Sequence, residues 1–344
     1  MLAREGRIRL EVAMRPEDPP LVHGPWHLRD KKRLQTVVEV EGGGSCVLDV
    51  HDSWEVDEGD LAAHDLYFKR SLSPETLLMP GGHKLRTLGL LNDVRPDFLD
   101  MIELRNELGA ARSAPARLQK LLRWAVLSVG ARLDLGSRPT LSRMSSPPTP
   151  GQPAGVLLMA GLWDPAPVPT WAAGKREEWE SINQMRIECI RALRREFGNR
   201  FHGGIRPSAY ARQRAPDLML PSEKAAGQRA FVRHARERPV CVTSTGLHGS
   251  NGWRLAEFVA LSRAIVSEPL RYTVPGPFAA GTHYLPFTSP EECVAQVARL
   301  FDDPAARDAM AQRNWEYFGT WQRPERLALR VIALTHAIGR GDPG

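Results

Sequence analysis

From Gly155 onward the chain alternates between short apolar runs and amphipathic stretches. Gly155 to Ala160, GVLLMA, is continuously apolar, the pattern of a parallel strand covered on both faces. Glu177 to Phe197 places Trp179, Ile182, Met185, Cys189, Ile190, Leu193 and Phe197 on one helical face, and Gly198 follows as a C-cap. Arg200 to Gly203 reads as a strand, Glu223 to Arg236 as a helix and Val240 to Ser244 as a strand. A Gly-rich loop, a helix over Trp253 to Ser262 and a strand over Ala264 to Ser267 come next. Ser289-Pro290-Glu291-Glu292 opens a helix with a capping box. Asp303-Pro304 opens another, and Pro324-Glu325 a last one through Ile338. This alternation predicts an α/β fold with a parallel, doubly wound sheet.

The first part has a different texture. Arg7 to Met14, Thr36 to Val40 and Cys46 to Val50 read as strands, the last two separated by the Gly42-Gly43-Gly44 turn. Asp65 to Arg70, DLYFKR, reads as another short strand, and Lys84 to Leu91 fits no single element. Phe98 to Leu108 and Ala116 to Leu133 carry helical periodicity. Ser145 to Pro153, SSPPTPGQP, disfavours helix and central strand and marks a linker. The expected organisation is residues 1–150, residues 151–322, and a C-terminal helix over 323–344 that packs back on the first part.

Composition narrows the class only slightly. The 344 residues are 42% hydrophobic and 25% charged, as in globular chains of this length. No apolar run approaches the roughly 20 residues of a membrane-spanning helix. Cys46, Cys189, Cys241 and Cys293 lie far apart and form no Cys-x-x-Cys pair, so neither a zinc site nor a disulfide framework is expected. A reducing cytoplasm fits that usage best. The formal charge of +6 suits an anionic ligand but equally suits a basic protein without one.

The chemistry concentrates in Gly246 to Glu257, GLHGSNGWRLAE. Ser250 or Asn251 can cap the helix, while Gly249 and Gly252 let a ligand approach the backbone. Amide groups at a helix start favour an anion. Arg254 in the first turn suits a bound diphosphate better than a bare helix, and His248 either contacts such a ligand or caps the loop. Glu257 is either a solvent-facing acid or a carboxylate for sugar hydroxyls. Glu268 lies at a strand end, where α/β ligands gather. The run is neither G-x-G-x-x-G nor a Walker A loop. In the first part, His51 or Asp52, just after an apolar strand, is a candidate general base; the alternative is a polar turn. Lys69 and Arg70, with Lys84, Arg86 and Arg95 nearby, could contact phosphate or an anionic acceptor, or simply extend to water.

The stretch from Gly246 to Phe318 resembles the C-terminal half of a GT-B glycosyltransferase of the "group 1", family 4-like, type. The residues that carry the resemblance are the Gly-rich loop and its helix with Glu257, the strand Arg263 to Glu268 and the Gly281-x-x-Tyr284-Leu285 segment. Ser289 to Glu292 and Asp302 to Arg307 complete it. The resemblance implies two Rossmann-like domains facing a cleft, the N-terminal one short or reduced. It implies transfer of a sugar from a nucleotide-diphospho-sugar, a UDP-sugar first, to an acceptor hydroxyl, with no cofactor and no metal required. The acceptor could be a saccharide, a small molecule or a modified nucleic acid.

On that resemblance Glu257 would hold the ribose. His248, Gly249, Ser250, Asn251, Gly252, Trp253 and Arg254, with Arg206 and Glu268, would surround the donor. Of the residues singled out in the first part, His51 or Asp52 would act as base if the reaction inverts; a retaining reaction requires no dedicated base. The chain departs from the pattern at two points. Gly249 stands where the family often has a second Glu. Gly161-Leu162-Trp163 stands where a phosphate-binding Arg is usual, leaving Lys175, Arg206 or Arg212 as replacements. Two other classes remain: a glycosyltransferase acting on modified DNA or another nucleic acid, and a nucleotide-sugar epimerase or non-catalytic nucleotide-sugar binding protein.

Overall fold

The computed structural model describes residues 35–92, 94, 113–122, 139–167 and 173–341. The chain divides into two compact units: Met1–Asp30 with Asp93–Met144, and Lys31–Asn92 with Ser145–Gly344. The described residues of the first unit form helical segments over 114–122 and Leu141–Met144. The expected strand at Arg7 to Met14 and helix at Phe98 to Leu108 lie outside the described residues.

The second unit contains two sheets. The four-stranded sheet runs β1 (Gln35–Glu39), β2 (Ser45–Asp49), β3 (Leu66–Lys69), β4 (Leu85–Thr87), with helix α1 (Glu58–Ala63) between β2 and β3. β1 pairs antiparallel with β2 across the glycine turn, and β2, β3 and β4 are parallel. The ambiguous stretch after Lys84 thus contributes an edge strand.

The five-stranded sheet is wholly parallel, in the order β6 (Phe201–Ile205), β5 (Val156–Ala160), β7 (Val240–Thr243), β8 (Ala264–Ser267), β9 (Leu285–Pro286). Strand order reverses beside β5, as in doubly wound α/β sheets, which bind ligands outside the carboxyl ends of strands at that reversal. β7 and β8 are buried along their whole length, which is why their sequences are apolar without alternation. Gly203 has φ 144°, and a Cβ there would lie 1.9 Å from the Leu158 carbonyl oxygen, so β6 approaches β5 only through a glycine.

Helices α2 (Ala173–Phe197), α3 (Ala209–Arg214), α4 (Gln228–Glu237), α5 (Trp253–Ala260), α6 (Pro290–Asp302), α7 (Pro304–Tyr317) and α8 (Pro324–Gly339) complete the unit. Ile187, Ile190, Leu193 and Phe197 of α2 pack on β5, β7 and β8 in one core with Val297 and Leu300 of α6. The α6 capping box forms with a shift. Ser289 Oγ accepts from the Glu292 amide, while the Glu292 carboxylate reaches back to the amide of Thr288 rather than Ser289. The helix expected from Glu223 begins at Gln228, because Ser222 and Lys224 close a separate turn that ends at Gly227.

The four-stranded sheet has a core of its own. Cys46, Leu66, Phe68 and Leu88 are buried against Val331, Leu327, Leu334 and Ile338 of α8. The linker after Met144 is also tied down. Ser146 donates its amide to Ala260 O, and its carbonyl accepts from Ser262 Oγ at 2.6 Å.

Candidate active site

The Gly-rich loop leaves β7 at Thr243 and tightens into a 3-10 turn over Leu247–Gly249. His248 (φ 59°) and Gly249 (φ 65°) both adopt left-handed backbone, which a non-glycine residue does at a cost. Tyr272 holds that conformation from the loop after β8. Its buried hydroxyl donates to His248 O at 2.5 Å, and its carbonyl accepts from Asn251 Nδ2 at 2.9 Å. Asn251 is therefore spent on Tyr272 and does not cap the helix, as expected of it or of Ser250. The cap of α5 is Gly252, with no side-chain hydrogen bond to the first-turn amides.

The end of β3 reaches this helix start. Arg70, 6% exposed, donates from Nη2 to Asn251 O at 3.1 Å, lies 4.1 Å from the Trp253 ring centroid and forms an ion pair with Asp52. Burial pushes its pKa down to about 10. Arg70, Ser71, Gly89, Asn251, Gly252 and Ala256 line a small cleft here. Hydrogen bonds from Thr273 to Leu72 O and from Thr87 to Thr273 O fix the same strand ends to the loop after β8.

Behind Arg70, buried Asp49 closes β2. Its Oδ2 accepts from Lys69 Nζ at 2.8 Å and from Tyr67 Oη at 2.6 Å; its Oδ1 lies 2.7 Å from His51 Nδ1. Burial raises the Asp49 pKa, but the His51 hydrogen bond and the Lys69 charge outweigh it and hold the carboxyl at about 2. The pairing leaves His51 Nε2, itself buried, without a hydrogen-bond partner. An ionised carboxylate on one imidazole nitrogen and a free second nitrogen is the arrangement of an oriented general base. Asp49 was not singled out in the sequence. The available signal was an acid ending an apolar strand, two residues before a histidine.

The remaining candidates divide. Glu257 is buried, and both its oxygens are engaged, one by Gln228 Nε2 and one by Arg254 Nη1, each at 2.6 Å. Arg254 in turn packs 3.6 Å above the Phe231 ring. These two expected donor ligands thus pair with each other. Glu268 accepts from the Thr245 amide at 2.8 Å, fastening the loops after β7 and β8 together. Arg206 is exposed at the end of β6. Lys69 is buried on Asp49, and Lys84 caps α1 by donating to Leu61 O and His64 O. Neither lysine lines the cleft formed around Arg70: Lys69 is held by Asp49 of β2, and Lys84 by carbonyls at the end of α1.

Sequence reasoning also missed Arg186 and Arg271. Arg186 sits at the strand-order reversal, donating to Gly161 O, Ser244 Oγ and Thr245 O at 2.8–3.1 Å. Burial pushes its pKa down to about 10, against the opposing charge of Glu268. A cation inside the apolar face of α2 was its signal. Arg271 lies beside Gly249, where an added Cβ would be 3.1 Å from its Cδ. Among the described residues no group of His, Cys, Asp or Glu is arranged to hold a metal ion, and no helix is long and apolar enough to cross a membrane.

No protein-family model and no curated protein matches the chain. Solved structures do resemble it. The C-terminal domain of the glycosyl transferase group 1 family protein LpcC from Francisella tularensis aligns with 49% of this chain and 87% of its own, at 13% identity and a TM-score of 0.32. Sucrose-phosphate synthase from Thermosynechococcus elongatus aligns over 86% of this chain and 68% of its own, at 14% identity and a TM-score of 0.42. The pneumococcal O-GlcNAc transferase GtfA, solved with UDP and GlcNAc, aligns over 56% and 38%, at 14% identity and a TM-score of 0.32. A group 1 glycosyltransferase, the family that the C-terminal sequence resembles, is thus among the structural neighbours. At such scores and identities these likenesses carry no argument about activity.

Proposed function

We propose that the chain is a glycosyltransferase that moves a sugar from a nucleotide-diphospho-sugar, a UDP-sugar first, to an acceptor hydroxyl. The observation that carries the reading is the Asp49–His51 pair with its unpartnered Nε2. It stands next in sequence to Asp52, whose partner Arg70 touches the start of α5. In this reading His51 Nε2 takes the proton of the acceptor hydroxyl as its oxygen attacks the anomeric carbon. The bond from that carbon to the diphosphate breaks, and the departing negative charge faces the uncapped first turn of α5 and Arg70. Asp49 holds the ring and stabilises the imidazolium. Of the two candidate bases, His51 is the one whose ring is oriented by a buried carboxylate, that of Asp49. Glu257 would take a ribose hydroxyl by exchanging it for Gln228 or Arg254. No divalent metal is needed in this scheme, and chelators are expected to leave turnover unchanged.

Thermal-shift titration with UDP, GDP, dTDP and CDP tests the donor half. A nucleotide at 100 times its dissociation constant adds about 2.7 kcal/mol of stability. The absence of any shift in folded protein would refute it. Acceptor-dependent release of nucleoside diphosphate, lowered about 100-fold or more in His51→Gln, tests the chemical half. Unchanged release in that variant would remove His51 from the reaction.

A further inference from the structure

Arg70 needs an anion at all times. Its guanidinium is almost wholly buried, and a buried charge left unpaired is strongly unfavourable. The carbonyl of Asn251 and the face of Trp253 contribute only partial charge. The full negative charge comes from Asp52. That residue is the more open of the two to solvent. It lies outside regular secondary structure, just after β2, and its side chain is 29% exposed. Among the described residues its carboxylate has no second partner. Arg70, one residue past the end of β3, has its amide on Asp49 O and its side chain held by Asn251 and the Trp253 ring.

We propose that Asp52 is a resident stand-in for a phosphate-class ligand: it neutralises Arg70 in the empty protein and is displaced when a diphosphate binds in the cleft at Gly252. Carboxylate and phosphate present the same paired acceptor geometry to a guanidinium, so the exchange keeps Arg70 neutralised throughout. Asp52 is already partly hydrated and completes its hydration as it leaves. The cleft wall supplies the rest of the site, with Gly252 and Asn251 on the helix side and Ser71 and Gly89 on the sheet side. The proposal rests on reading the Gly-rich loop as the diphosphate site. It adds that the measured affinity is the intrinsic affinity divided by competition from an internal anion.

Calorimetric titration of inorganic pyrophosphate and of UDP into the wild type, D52N, R70M and the double variant tests this. The expected results are tighter binding in D52N, about tenfold, loss of most binding in R70M, and no gain from D52N on the R70M background. D52E, which keeps the charge, binds as the wild type does. D52S carries the same test should D52N not fold. Equal affinity in D52N and the wild type, or a gain that persists without Arg70, overturns the stand-in role and leaves the donor site intact. Failure of pyrophosphate and UDP to bind either folded protein overturns the donor-site reading, and the stand-in role with it.

Discussion

Removing Glu257 should destabilise the protein through Arg254 before any effect on ligand binding is considered. The Glu257 side chain is 6% exposed and that of Arg254 26%, with 2.6 Å between them. Exposed ion pairs contribute about 0.2–1 kcal/mol. Breaking a fully buried pair costs about 3–5 kcal/mol, because the surviving charge is stranded. With one partner buried and the other a quarter open to water, Glu257→Ala should cost about 2 kcal/mol, a fall in Tm of about 4 °C. Arg254→Ala also loses the contact with Phe231, so its single effect mixes two causes. A double-mutant cycle separates them: urea unfolding of both single variants and the double variant should return a coupling of about 1.5 kcal/mol. Additivity within about 0.3 kcal/mol would refute the claim that the pair is structural. The ribose role is then read from the increment that UDP adds to the melting temperature of Glu257→Gln, not from that variant's own stability.

The tilted pair of His202 and His234 rings, with centroids 3.8 Å apart, predicts acid sensitivity. Burial, then the charges of His234 and Arg238, push His202 down to about 4 against the pull of Glu237, while the unfolded value is near 6.5. The unfolded chain thus binds the extra proton, so this stability is complete above the unfolded value and is lost as pH falls toward 4. Urea midpoints should drop between pH 7 and pH 5, less steeply in His202→Gln; equal slopes would refute the assignment. Tyr272→Phe should cost about 1 kcal/mol and weaken nucleotide binding by freeing the left-handed turn at His248, measured by thermal shift with and without UDP. Lys84→Met should cost about 1 kcal/mol by uncapping α1, with nucleotide affinity unchanged in a calorimetric titration. Leu66→Ala should cost about 2–5 kcal/mol in urea unfolding, since it opens a cavity beneath α8.

Strands β5, β7 and β8 were legible because a strand buried on both faces must be apolar throughout. Helices α6, α7 and α8 were legible because Ser289, Asp303 and three prolines mark their starts. The site was legible as a loop and not as a set of contacts. From the sequence, Lys69 and Arg70 could contact an anion or extend to water, since nothing local decides between the two. Parallel pairing sets Lys69 opposite Asp49, twenty residues away, and the end of β3 brings Arg70 to Asp52. Register and tertiary pairing decide such fates, and a single strand does not carry them. Arg254 and Glu257, three residues apart, could have been read as a helical pair from spacing alone. A first-turn Arg suits a bound diphosphate equally well, so spacing alone does not choose between the two partners.

Helix α8 has a consequence for how the chain is made. The four-stranded sheet is complete by Thr87, yet the apolar side formed by Cys46, Leu66, Phe68 and Leu88 is covered by residues beginning at Leu327. During synthesis the ribosome adds more than two hundred residues while that side stays open. At about 5–20 residues per second, the wait is on the order of 10–50 seconds. Until α8 emerges, that side lacks the residues that bury it in the folded unit, and exposed apolar surface of this kind is what holding chaperones bind.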